Sequence, residues 1–324
     1  MHHRHTTRLA NAPSIQADRA SLAPLRSASS NQQTDGNPYR QRLAQTALGL
    51  SIFLGALLGN LAPSVAQEIR VTSDQRWLEV QQIRGNVTYK GNQNRPARVG
   101  DRLGSVGQGI ATAGRSTSIL NIDTGIGVVR VAENTDLQVR RLSVLSDGAR
   151  VTILDVSQGQ ARLQVRPFSH PNSRLEIQTP SGIAGVRGTE FGVSVDPTGK
   201  TGIATLEGAV EANAQGRAVL VDAGFASVII PGHPPTPPRP IDRELRLQNI
   251  RWRRLGRRVE LLASVDPANS VLINGEEVNV SRIGAIDVSI PQAYNRPYLR
   301  VLVRNPLGEE RNYRIRVREI DGND

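Results

Sequence analysis

From Trp77 onward, apolar and polar residues alternate one by one. ARLQVR places Ala161, Leu163 and Val165 on one face and Arg162, Gln164 and Arg166 on the other. FGVSV does the same with Phe191, Val193 and Val195, and RVAENTDLQVR with Val131, Leu137 and Val139. Successive side chains of a strand point to opposite faces, so this period belongs to strands buried on one side. No window outside the apolar run near residue 50 sustains a helical period. Turn residues break the alternation at Gly91 to Pro96, at Asp147 and Gly148, and at Asp196 to Gly202. The expected fold class is all-β.

Three segments echo one another. IRGNVTY, SQGQARL and LEGAVEA each place a glycine (Gly85, Gly159, Gly208) two residues before a small or β-branched residue. The intervals are unequal, so this is no solenoid of fixed period. It is one sheet motif used more than once in an elongated β domain. PGHPPTPPRP, Pro231 to Pro240, holds six prolines in ten residues and reads as an extended, semi-rigid spacer. A second β unit follows. VLINGEEVNV in it is two strands joined at Asn274 and Gly275, the pair that best suits a tight hairpin turn. Its length suits a seven-strand sandwich.

The front of the chain reads as an address. Residues 1–40 are polar and without periodicity, a disordered leader. Residues 41–66 carry Arg42, an apolar centre and small residues at Ser64 and Ala66, the layout of a signal peptide. Cleavage after Ala66 would remove six arginines and two aspartates and take the formal charge from +11 to +7. Retention would make the segment a signal anchor. The expected organisation is a β domain over 67–230, a Pro-rich linker over 231–241 and a β-sandwich over 242–320.

Cysteine is absent, which excludes disulfides, thiol nucleophiles and thiolate metal sites. All 40 basic residues except Lys90 and Lys200 are arginine. They are spread along strands among acids, and aromatic residues are 3% of the chain. That leaves no stacking platform for single-stranded nucleic acid.

One stretch stands out chemically. QTPSGIAGVRGTEFGVSV carries Thr179, Pro180, Gly182, Gly185, Arg187, Gly188, Thr189, Glu190 and Phe191. Its glycines are spaced G-x-x-G-x-x-G, not as in a dinucleotide loop, and no βαβ context surrounds them. The segment reads as a structural corner, with Arg187 bonded to backbone carbonyls or to Glu190. Together with VGDRLGSVGQGIATAGRSTSILNIDTG, VVRVAENTDLQV and LEGAVEA, it resembles the FecR-domain family over roughly Gly85 to Gly232. The second unit is similar to bacterial immunoglobulin-like modules. The resemblance implies an extracytoplasmic β-rich domain. The best-known members of the family are membrane-anchored regulators that pass a receptor signal to a sigma factor. This sequence departs from them: its arm before the apolar run has no tryptophan, and a proline spacer and a second unit follow the domain.

Other candidates are sparse. RWRRLGRR supplies Arg251, Arg253, Arg254, Arg257 and Arg258, either a solvated strand face or a contact for an anionic partner. His170 and His233 each sit beside a proline and are too few for a metal cluster or a Ser–His–Asp arrangement. No cofactor, metal site or catalytic pair is expected. The sequence reads as a non-enzymatic exported protein of the periplasm or cell exterior: a binding, sensing or scaffold module of the cell envelope. Its expected partner is an envelope protein or an anionic envelope polymer, not nucleic acid, and it meets the membrane only if the leader is retained. An anchored sigma-factor regulator and a carbohydrate- or peptidoglycan-binding module are the alternatives.

Overall fold

The computed structural model describes residues 75–291 and 297–317. The leader over 1–40 and the signal segment over 41–66 lie outside the described residues. Those described are all-β, with no helix among them.

One long strand, Arg150–Val165, organises the first part of the molecule. Its first half pairs with Asp136–Val144 and, in parallel, with Arg174–Gln178. Its second half pairs with Gly127–Val131 and Glu190–Val195. The strand thus belongs to two sheets. Sheet I runs in the order Leu78–Arg84, Thr117–Ile122, Gly127–Val131, the second half of Arg150–Val165, Glu190–Val195, Thr201–Glu207 and Phe225–Ile229. Sheet II runs through Val87–Lys90, Gly109–Thr112, Asp136–Val144, the first half of Arg150–Val165, Arg174–Gln178, Ile183–Val186, Ala209–Ala214 and Arg217–Asp222. Alternation delivers aliphatic residues from both sheets to one core, with Leu163 and Phe191 from sheet I beside Leu154 and Leu175 from sheet II.

The three echo glycines are where the chain passes between these sheets. Gly85, Gly159 and Gly208 take φ of +76°, +84° and +76°, a region that costs other residues strain. At each crossing a neighbouring segment crosses the other way and offers a buried hydroxyl. Asn86 N donates to Ser116 Oγ at 2.9 Å, and Gln160 N to Thr135 Oγ1 at 2.9 Å. Thr189 Oγ1 donates to the Ala209 carbonyl at 3.1 Å. The repeated motif is therefore a crossing: a left-handed glycine turns the strand, and a hydroxyl takes up a backbone group that the turn takes out of the ladder.

The remaining strands form two antiparallel sheets around a second core. Gln248–Leu255, Arg258–Ser264 and Ala285–Pro291 make a three-stranded sheet. Glu276–Val278, Ser270–Ile273, Tyr298–Arg304 and Glu310–Arg316, in that order, make a four-stranded one. Val259, Leu261 and Ile286 meet Val271, Leu299 and Val301 between them. Asn274 and Gly275, at φ +54° and +93°, form the two-residue turn that joins Ile273 to Glu276.

The proline-rich stretch is not a free spacer. Its donors and acceptors tie it to the edge of sheet I. Thr236 N donates to the Val228 carbonyl at 2.9 Å, Ser227 Oγ donates to the Thr236 carbonyl at 2.7 Å, and Arg239–Pro240 pairs with Phe225 and Ala226. A strand edge tolerates prolines because it needs few N–H groups. Thr236, Ile241 and His233 are among the donors that are used.

Candidate functional site

Sheet I carries a patch of small residues on its outer face. Gly192, Ala204 and Ala226 are register partners across three strands, and Ser194, Gly202 and Val228 form the next row. The second module docks there. A Cβ at Gly192 would overlap the Pro306 carbonyl, and one at Gly202 would lie 2.7 Å from the Ala268 carbonyl oxygen. Leu307 and Ala268 close over Ala204, Ala226 and Val228 in a small apolar cluster. Polar bonds frame it. Gln160 Nε2 donates to the Asn305 carbonyl at 2.8 Å. The buried Arg304 pairs with Glu310 in its own module and with Glu133 at 2.8 Å in the first.

Another buried polar contact is at the hairpin turn Asp196 to Lys200. Asp196 Oδ1 accepts from Thr198 N at 2.9 Å and Lys200 N at 3.1 Å, shaping the turn. Lys200 Nζ then donates to the Pro267 carbonyl of the second module at 3.0 Å and stands 3.8 Å from Asp196 Oδ2. Burial pushes the Lys200 ammonium below its ordinary pKa, against the pull of Asp196. Across the junction, burial and then the Asp196 charge raise Glu277 to about 7, offset in part by Arg304 and Lys200. An unfolded chain would lose that proton near the ordinary value of 4.5, so between roughly pH 4.5 and 7 the folded state binds more protons. The contribution of Glu277 to stability is therefore greatest at low pH and falls as pH rises through this window, by an amount on the order of 3 kcal/mol. Glu277→Gln should flatten that segment of the stability–pH curve in urea melts at pH 5 and pH 7.5. An unchanged slope would contradict the placement of Glu277 at the junction.

Beside the docked patch, the loop after Tyr298–Arg304 overhangs sheet I and leaves an open cleft of about 530 Å³. Its lining includes five arginines (Arg84, Arg115, Arg130, Arg162, Arg304) against two glutamates (Glu133, Glu310). The strand period puts them there. Gln82, Ile119, Arg130, Arg162 and Gly192 form one outward row across sheet I, and Arg84 and Thr117 are partners in the adjacent row. Arg130 and Arg162 are direct cross-strand neighbours, a repulsive pairing. Arg162 is relieved by Glu190, at 2.6 Å. Glu133 and Glu310 are engaged by Arg304, and Glu133 also accepts from Arg115 N at 2.6 Å. Among the described residues, the guanidinium groups of Arg84 and Arg130 have no ion-pair or hydrogen-bond partner. Gln160, 5% exposed, lies on the cleft wall, and its Oε1 is buried without a donor.

The stretch from Thr179 to Phe191 lies away from this cleft, apart from Glu190 and its bond to Arg162. Thr179 and Pro180 turn the chain between Arg174–Gln178 and Ile183–Val186, with Thr179 Oγ1 accepting from Thr201 Oγ1 at 2.9 Å and from Gly182 N at 3.2 Å. Gly182 allows close approach to the Asn213 carbonyl, and Gly188, at φ +115°, carries the chain from sheet II to sheet I against Pro167. A Cβ at Gly185 would meet only the Glu211 carbonyl oxygen, at an ordinary contact distance of 3.9 Å. Phe191 is wholly buried. Among the described residues Arg187 makes neither expected bond, to backbone carbonyls or to Glu190. Ala184 and Val186 point inward, so Arg187 points to solvent, while Glu190 across the crossing reaches Arg162. Arg76 is buried, and donates to Asp123 at 2.9 Å, to the Val151 carbonyl at 2.8 Å and to Thr152 Oγ1 at 2.7 Å.

The arginines of RWRRLGRR are divided, not gathered. Arg251 and Arg253 face outward on an edge strand, and Arg253 is paired with Glu260 at 2.6 Å. Arg254 has the opposite parity and is half-buried. Arg258 donates to the Ser289 carbonyl at 2.6 Å, and Arg257 is exposed in the turn. His170 Nδ1 accepts from Asn172 N, and His233 lies at the Pro231 carbonyl, far apart in the chain. Among the described residues no group of three or more metal-ligating side chains converges.

Residues 110–211, from the strand Gly109–Thr112 through the crossings at Gly159, Gly188 and Gly208, match the family model described as FecR protein. The chain carries a FecR domain. Two crystal structures of a putative anti-sigma factor from Parabacteroides distasonis ATCC 8503, at 2.50 and 1.65 Å, are similar at 12% and 14% identity, each over 45% of this chain and 67% of that one, with TM-scores of 0.35 and 0.34. A polysaccharide lyase structure is similar at 11% identity over 78% of this chain and 41% of that one, with a TM-score of 0.18. No curated protein matches the chain. Within the FecR domain, Arg115, Arg130 and Arg162 contribute to the cleft, while Arg84 precedes the matched span.

Proposed function

We propose that this chain is an exported, non-enzymatic FecR-domain protein that serves as a binding, sensing or scaffold module of the cell envelope. The observation that carries this reading is the cleft. It is open, shared by the FecR domain and the module docked on it, and lined by arginines and neutral residues, with the glutamates held in ion pairs. Such a surface holds a partner in place; it offers no free base beside a nucleophile. The second module's strand order supports its reading as an immunoglobulin-like sandwich. The first, second and fifth strands form one sheet, and the fourth, third, sixth and seventh the other, as in sandwich modules of extracellular proteins.

Cell fractionation with an antibody to the mature region, combined with mass spectrometry of its first residue, tests the reading. A soluble extracytoplasmic form beginning at Gln67 is expected. An uncut chain in the cytosol would overturn it, and a membrane-retained form would point to the anchored regulator instead.

A further inference from the structure

We infer that the cleft beneath the 304–310 loop binds an acidic glycan, a chain bearing both carboxylates and hydroxyls. The inference rests on the envelope-binding reading above and adds the ligand class and the residues that take it.

Three observations converge. The first is charge without relief. Cross-strand register sets Arg130 beside Arg162 on the outer face, and Arg84 two strands further along. Glu190 satisfies only Arg162. With strands about 4.8 Å apart, Arg84, Arg130 and Arg162 form a positive stripe roughly 15 Å long. That length suits successive charges on an extended polymer better than one small anion. Arginine's planar fork matches carboxylate geometry.

The second is Arg115, which stands at φ +59°. A bulky side chain is rare in that conformation, and glycine or asparagine would hold it with less strain. The strain places a guanidinium on the cleft rim, with the Arg115 amide held by Glu133.

The third is Gln160. Its Nε2 donates to the Asn305 carbonyl, so the amide orientation is set and Oε1 is the atom left over. A buried acceptor without a donor costs on the order of 1–3 kcal/mol. Oε1 has no exposed surface in the unliganded chain, so a ligand hydroxyl would supply that donor once the Gln160 side chain shifts toward the cleft. A phosphodiester or polyphosphate chain would not, since its backbone offers acceptors only. Nor does the cleft offer rings for bases to stack on: none of its lining residues is aromatic. Ile119 and Leu307 provide apolar surface for the C–H faces of sugar rings.

The test uses the purified chain and three probes: polygalacturonate, neutral dextran and polyphosphate, followed by calorimetry at low and physiological salt. Polygalacturonate should bind, and dextran should not. The double variant Arg84→Gln, Arg130→Gln should weaken binding at least tenfold and reduce its salt dependence. Gln160→Leu should weaken binding several-fold while leaving the salt dependence intact. Both arginines are exposed, so the double variant should keep the wild-type melting temperature. Arg251→Gln, on the edge strand of the second module, should change nothing. No binding of polygalacturonate, binding that survives the double variant, or polyphosphate bound as tightly as polygalacturonate would each overturn the inference. None of these results depends on where the protein resides, so they leave the export reading to its own test.

Discussion

Gly192→Val should separate the second module from the FecR domain. The position is in the middle of a strand with no unusual backbone angle, where valine is ordinarily favoured. What opposes it is the Pro306 backbone: a Cβ at residue 192 would overlap the Pro306 carbonyl and lie within 3.0 Å of Leu307 Cα. A backbone cannot rotate out of the way as a side chain can. The loop must lift, and the Leu307 cluster with Ala204 and Ala226, the Gln160–Asn305 bond and the Arg304–Glu133 pair lift with it. Overpacking alone costs about 1–3 kcal/mol, and the lost contacts add to that. One cooperative melt should become two, with the core between sheets I and II keeping its own transition. A wild-type melt for Gly192→Val would show that the two parts do not meet there.

The crossing at Gly159 should be nearly as sensitive, for a different reason. Gly159→Ala places a Cβ at a residue with φ +84° and drives it into Thr135 Cα and the Asn134 carbonyl. The left-handed conformation costs about 1–2 kcal/mol and the steric conflict about 1–3 more. Relief by local movement would break the Gln160 N bond to Thr135 Oγ1 at the centre of the strand that joins the two sheets. A loss of roughly 2–5 kcal/mol is expected in urea unfolding. Gly185→Ala is the matched control, since nothing lies closer than the Glu211 carbonyl oxygen at 3.9 Å. Equal losses at both positions would mean that the crossing is not what holds Gly159.

These two glycines also mark what the sequence conveys and what it hides. Gly159 was legible in outline, because its neighbourhood echoes those of Gly85 and Gly208, and a repeated glycine in a strand signals a bend or close approach. The hydroxyl partners Ser116, Thr135 and Thr189 were not, because each is distant in sequence from the glycine it serves. Gly192 gave no signal, since one glycine in FGVSV reads as a weak strand position until Pro306 is placed against it. The all-β class and the turn at Asn274 and Gly275 followed from local pattern. The cleft did not. Its arginines come from four strands and a loop, and only pairing register brings Arg84, Arg130 and Arg162 into one stripe. The run RWRRLGRR was conspicuous by density, but strand alternation and the Glu260 pairing divide it. Arg187 misled for a related reason: parity carries across a strand, but not across the left-handed Gly188.

The dependence of the cleft on docking can be measured directly, because the chain has no cysteine to compete with introduced labels. Spin labels at Val106→Cys in the first module and Ile283→Cys in the second module sit at sites 70% and 81% exposed. Pulsed electron paramagnetic resonance should give a single narrow distance distribution that broadens in Gly192→Val. A distribution already broad in the otherwise unaltered chain, as two modules on a loose tether would give, would contradict the docked arrangement and the shared cleft with it.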